Sequence, residues 1–170
     1  GLMQSTSHDM AFDKNNCWWL SYPNGLQRFD GKSFVFVPIQ PGLPDNKFSR
    51  FFKCKDGSLL VSHLNGISRY DDKGNKFSLI YAYKEICTTS SEFIGENDGV
   101  IYFYTEAAEI IGINAGSFKL QSIFKTGLPD YKKDFSYNPK LSDNIIGGKV
   151  AMIVNKRIYT WDLKKGELLF

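Results

Sequence analysis

Residues 42–71 read GLPDNKFSRFFKCKDGSLLVSHLNGISRYD, and the fold follows from this stretch. Lys55-Asp56-Gly57 is a turn, because Asp-Gly supplies the positive φ that a tight hairpin needs. Leu64-Asn65-Gly66 is a second turn and Asp72-Lys73-Gly74 a third. The runs between them are short and rich in β-branched and aromatic residues. They predict four strands: Lys47–Lys53, Leu59–Ser62, Ile67–Asp71 and Lys76–Tyr81. No segment carries a 3.6-residue apolar period, so no helix longer than two turns is expected.

Residues 1–30 repeat this stretch without a gap at an offset of 41. Gly1-Leu2 falls on Gly42-Leu43, Lys14 on Lys55, Ser21 on Ser62, Asn24-Gly25 on Asn65-Gly66, Arg28 on Arg69 and Asp30 on Asp71. Further on the pattern is more worn. Asp98-Gly99 matches Asp56-Gly57, Ile110–Asn114 and Ile158–Asp162 both match Ile67–Asp71, and Gly127-Leu128-Pro129-Asp130 repeats residues 42–45. The third and fourth units carry Ala107-Ala108 and Lys156-Arg157 where the first two have Asn-Gly. A period of about 41–48 residues with four short strands per unit is the signature of a β-propeller blade. The chain is therefore expected to be all-β, with four consecutive four-stranded antiparallel blades at about 1–41, 42–82, 83–126 and 127–170. Trp19, Leu60, Tyr102 and Ala151 take equivalent strand positions, and at least three should be buried. The terminal blade faces are expected to carry Phe12, Trp18 and Trp19 at one end and Met152, Tyr159 and Trp161 at the other.

Composition narrows the function classes. Aromatic residues make up 15 % of the 170, charged residues 23 %, and the net charge is +3. That excludes a disordered tail. No apolar run reaches the ~18–20 residues of a membrane span, and the opening residues do not read as a signal peptide. The 21 basic residues are spread along the chain, so no nucleic-acid partner is expected. Cys17, Cys54 and Cys87 are three in number and widely spaced, and they read as small buried thiols.

The blade motifs add a family resemblance. Gly42-Leu43-Pro44-Asp45-Asn46, Lys55-Asp56-Gly57, Leu59-Leu60-Val61 and Asn65-Gly66-Ile67-Ser68-Arg69-Tyr70-Asp71 resemble the two-component regulator propeller repeat. That repeat reads, loosely, GLPxN, DxxG, LWIGT, xxG and LxRYD, and Trp19 takes its Trp position. Ser21 and Ser62 stand where the family has Gly, and Tyr22 and His63 where it has Thr. The resemblance implies the extracytoplasmic, periplasmic sensor part of a hybrid two-component system of gut Bacteroidetes. Such sensors usually hold two seven-bladed propellers and detect polysaccharide breakdown products. It implies that this chain is a part of a larger propeller, with any kinase activity in other domains.

No catalytic motif appears: there is no GxSxG, HExxH, P-loop or GxGxxG. His8 and His63 are the two histidines and occupy different repeat positions. A Ser-His-Asp triad would need one of them. Acidic pairs such as Asp71-Asp72 and Glu106/Glu109 are the places a glycosidase would be sought. No catalytic residue, cofactor or metal is assigned. In a propeller the D–A and B–C connections emerge on one face, where ligands usually bind. Tyr22, Asn24, His63, Asn65, Tyr83 and Glu106 are candidate ligand-binding residues on those loops, which also include Gln40–Asn46, Gly127–Lys133 and Asn155-Lys156. His63 is expected there as an exposed loop residue or a ligand contact. The mixture of rings and amides suits an oligosaccharide. The leading expectation is a non-catalytic sensor propeller. The alternatives are an interaction or dimerisation propeller, partnered by a second copy or by neighbouring blades, and a propeller glycosidase or lyase.

Overall fold

A computed structural model describes residues 1–2, 6–47, 49–128, 140–141, 145–154 and 157–169. The expected loop residues 129–133 and 155–156 lie outside that set. Sixteen strands are described, in four antiparallel sheets of four, each in simple up-and-down order. Blade 1 contains β1 (Asp9–Phe12), β2 (Trp18–Tyr22), β3 (Gly25–Phe29) and β4 (Phe34–Val37). Blade 2 contains β5 (Arg50–Lys53), β6 (Leu59–His63), β7 (Gly66–Asp71) and β8 (Lys76–Ala82). Blade 3 contains β9 (Glu92–Asn97), β10 (Val100–Tyr104), β11 (Glu109–Asn114) and β12 (Leu120–Lys125). Blade 4 contains β13 (Lys140–Leu141), β14 (Lys149–Val154), β15 (Arg157–Asp162) and β16 (Glu167–Leu169). There is no helix among the described residues. The chain divides into two compact units, Gly1–Ser91 and Glu92–Phe170.

The turns do what their residues dictate. Asp98 and Gly99 both sit at positive φ (48° and 73°) and join β9 to β10 in two residues. Gly57, at φ 81°, closes the β5–β6 turn with its N–H on the Cys54 carbonyl. One expected strand shortens: β5 begins at Arg50, not Lys47. The Asp45 carboxylate accepts the Lys47 N–H at 2.7 Å, and the Asn46 side chain donates to the Val37 carbonyl at 2.6 Å. These bonds hold the segment as a loop instead of a strand.

In the first unit one core lies between blades 1 and 2. Trp19, Leu26 and Val37 from blade 1 meet Leu59, Val61, Tyr70 and Phe77 from blade 2, with Leu43 from the connecting loop. This accounts for the Gly-Leu-Pro-Asp run. Leu43 is fully buried in that core. Gly42 lies so close to the Phe77 backbone that a Cβ could not fit. Gln40 accepts the Phe77 N–H at 3.2 Å. In the second unit Tyr102, Tyr104 and Ile110 of blade 3 pack on Val150, Met152 and Trp161 of blade 4.

Trp19, Leu60 and Tyr102 are buried and Ala151 is half-buried, as the repeat requires. Leu60→Ala should cost about 2–5 kcal/mol, because a fully buried leucine leaves a cavity that the sheet fills only in part. A change below ~0.5 kcal/mol in denaturant melts would contradict this placement. The terminal faces need correction. Phe12 and Trp18 are exposed, but Trp19 is buried against blade 2. Met152, Tyr159 and Trp161 point toward blade 3. Adjacent strand residues face opposite ways, so the outer face of blade 4 instead carries Ala151, Ile153 and Ile158. All three cysteines are buried thiols, and none is in a disulfide.

Candidate ligand-recognition site

The B–C hairpins of blades 1 and 2 are tighter than expected. Tyr22 pairs with Gly25 and His63 with Gly66, leaving two-residue loops, Pro23-Asn24 and Leu64-Asn65. Gly66 is required there twice over. Its φ is 154°, and a Cβ would collide with the Tyr81 carbonyl. Because the strands run so close to the turn, Tyr22 and His63 are strand residues and lie inside the fold, not on the loops.

His63 is fully buried. Its Nδ1 accepts the Asn65 N–H at 3.3 Å, so its Nε2–H donates to the Ser68 hydroxyl at 2.8 Å. Burial pulls its pKa down to about 4, which keeps the imidazole neutral. It is a structural pin for the hairpin rather than the exposed residue expected. Tyr22 is likewise buried, its pKa raised by burial, and lies on the same face of β2 as Trp18 and Leu20.

Asn24 is exposed and Asn65 half-buried, both at turn tips. Asn65 is joined to Tyr83: the Tyr83 N–H donates to the Asn65 carbonyl at 3.0 Å, and the Cys87 N–H to the Leu64 carbonyl at 2.9 Å. These bonds draw the blade 2 B–C hairpin and the segment after β8 together. The Tyr83 hydroxyl donates to Ser91 at 2.6 Å, and burial raises its pKa strongly. Its ring meets Tyr81 edge-on at 5.8 Å. Tyr81 and Tyr83 thus form an aromatic pair on a segment that backbone hydrogen bonds tie to Asn65. Glu106 belongs to the second unit, in the β10–β11 turn, and is buried. Ala108 takes the left-handed φ of 56° in that turn, whereas the Asn-Gly hairpins of blades 1 and 2 place Gly25 and Gly66 at φ 149° and 154°. Thr126 secures it with a hydroxyl bond to the Ala108 carbonyl at 2.7 Å.

Sequence reasoning missed Ser68, within β7, and Ser91, just before β9, because isolated hydroxyls carry no pattern of their own. It also missed a buried cluster around Asp13, in the β1–β2 turn. The Asp13 carboxylate accepts the Trp19 indole N–H at 2.9 Å and the N–H groups of Asn15 and Cys17. Arg28 lies 3.5 Å from it and over the rings of Trp19 and Tyr70. The repetition of Arg28 as Arg69 was its one trace in the sequence. Among the described residues, no group of three His, Cys, Asp or Glu side chains is placed to hold a metal.

No protein-family model matches the chain, and neither does any curated protein. Solved structures do. The chain is similar over 96 % of its length to the extracellular domain of the hybrid two-component system BT4673 from B. thetaiotaomicron, with TM-score 0.72 and 16 % identity, covering 24 % of that chain. It is similar over 99 % to the extracellular domain of BT3049 from the same organism, with TM-score 0.69 and 13 % identity, covering 25 % of it. Virginiamycin B lyase from Staphylococcus aureus matches over 94 % of this chain and 56 % of its own, with TM-score 0.60 and 15 % identity. The chain is thus built of β-propeller blades like those in the extracellular domains of these two-component systems, and it spans about a quarter of their length.

Proposed function

We propose that this chain is a non-catalytic segment of an extracytoplasmic sensor, and that it recognises a carbohydrate breakdown product at the B–C and D–A loop end. The observation that carries the reading is the Tyr81–Tyr83 pair and the Asn65 tied to it. Asn65, Tyr81 and Tyr83 are each half-buried there on backbone held by hydrogen bonds, and rings and amides are the groups that meet a sugar's C–H side and its hydroxyls. The fold likeness to two-component extracellular domains supports the sensor class. The neutral, fully buried His63 supports a non-catalytic reading, since it is occupied by Ser68 and Asn65. A ligand that binds only the folded state raises the melting temperature. Oligosaccharide mixtures should therefore raise it, with the sugars recovered uncleaved. Cleavage of any of them by the pure protein would replace this reading with a hydrolase or lyase.

A further inference from the structure

A continuous chain of hydrogen bonds runs through the loop end of blade 2. At one end the Ser68 hydroxyl accepts the His63 Nε2–H at 2.8 Å. The Nδ1 of the same ring accepts the Asn65 N–H at 3.3 Å. The Asn65 carbonyl accepts the Tyr83 N–H at 3.0 Å, and the Tyr83 hydroxyl donates to Ser91 at 2.6 Å. Ser68 and His63 are fully buried and Ser91 is 2 % exposed, whereas Asn65 and Tyr83 in the middle are half-buried. The ends are closed to a ligand and the middle is not.

The middle of the chain has no strand ladder of its own. Asn65 lies in a two-residue turn, and Tyr83 lies one residue beyond the end of β8. Their order depends on the links on either side. The Cys87 N–H on the Leu64 carbonyl fastens the same two segments a second time. The imidazole link is particular to blade 2, since Tyr22 and Gln27 hold the places of His63 and Ser68 in blade 1. Buried hydrogen bonds in series polarise one another, so loss of one end is felt at the other.

We propose that Ser68 and Ser91 are positioning residues of the candidate site, holding Asn65 and Tyr83 as one preorganised unit from its two buried ends. This rests on the reading of that end of the blades as the recognition site. Neither hydroxyl meets the sugar. Each fixes a residue that does, and so lowers the ordering cost of binding.

Amide hydrogen exchange on the 170-residue chain tests this with no sugar present, so it decides the proposal even where the recognition reading fails. The variants are Ser68→Ala, Ser91→Ala, Tyr83→Phe and the double variant Ser91→Ala/Tyr83→Phe. Each single change removes one hydroxyl and little packing, so circular dichroism should show all of them folded. Ser68→Ala and Ser91→Ala should each speed exchange at the Tyr83 and Cys87 amides about tenfold, with the Leu60 amide in the middle of the sheet unchanged. The double variant should exchange no faster than Tyr83→Phe, because both changes break the same bond. Ser91→Thr keeps the hydroxyl and should keep wild-type protection. An oligosaccharide mixture that raises the wild-type melting temperature should bind both alanine variants about tenfold more weakly. Wild-type exchange at Tyr83 in Ser68→Ala, or losses that add in the double variant, would overturn the proposal. Unchanged sugar binding by both folded alanine variants would overturn it as well.

Discussion

Trp19→Ala should be among the most damaging single substitutions in the first unit, costing about 3–5 kcal/mol from the lost side chain alone. Trp19 is 1 % exposed, with its ring 4.6 Å from Tyr70 and 5.5 Å from Phe77. Truncation also removes the indole donor from the buried Asp13 carboxylate and one of two rings beneath Arg28. A buried acceptor left short of a donor adds roughly 1–3 kcal/mol. Trp19→Phe separates the two effects, because it keeps most of the packing and loses only the donor. Urea denaturation followed by circular dichroism measures both. If Trp19→Ala lowered stability by less than ~1 kcal/mol, the indole would not be the centre of the core between blades 1 and 2.

Stability of the same unit should fall as pH drops from about 6.5 to about 4. In the unfolded chain His63 titrates near 6.5, and in the folded state burial holds it near 4. Between these values the unfolded state binds the extra proton, so acid favours unfolding and the stabilisation is complete only above the unfolded value. A difference of about 2.5 units at 1.36 kcal/mol each amounts to about 3 kcal/mol across the window. The carboxylate of Asp30 is held below its usual range by backbone N–H groups, so its contribution is lost at lower pH; that of Asp72 is raised by burial and opposes the step, which is why the His63→Gln comparison isolates the imidazole. His63→Gln can still bond to Ser68 and should flatten the profile. An unchanged slope in that variant would locate the titration elsewhere.

How much of this was legible in the sequence depended on how far each feature is local. Asp56-Gly57, Asp98-Gly99 and the two Asn-Gly pairs encode turns through φ, and turns repeated at 41 residues left little choice of architecture. The burial of Trp19, Leu60 and Tyr102 followed from the same register. The candidate site was legible only in part. Asn24, Asn65 and Tyr83 do lie at loop positions, but Tyr22 and His63 were assigned to loops one residue too early. A two-residue hairpin carries the strand up to its edge, and the side chain just before the turn then alternates inward. Glu106 is drawn inside by its turn in a similar way. The terminal faces were misassigned for the related reason that one step along a strand exchanges its two sides, so Trp161 is core and Ile158 is surface. The pairing of Asn65 with Tyr83 depends on backbone bonds between segments 18 residues apart, which no local pattern announces.

Amide chemical-shift mapping with an oligosaccharide mixture tests recognition at the B–C and D–A loop end of the blades. Concentration-dependent shifts are expected at Asn24, Asn65, Tyr81 and Tyr83, with the opposite turns around Lys32, Lys73 and Lys165 unmoved. Shifts confined to those opposite turns, or none at any sugar concentration, would contradict it.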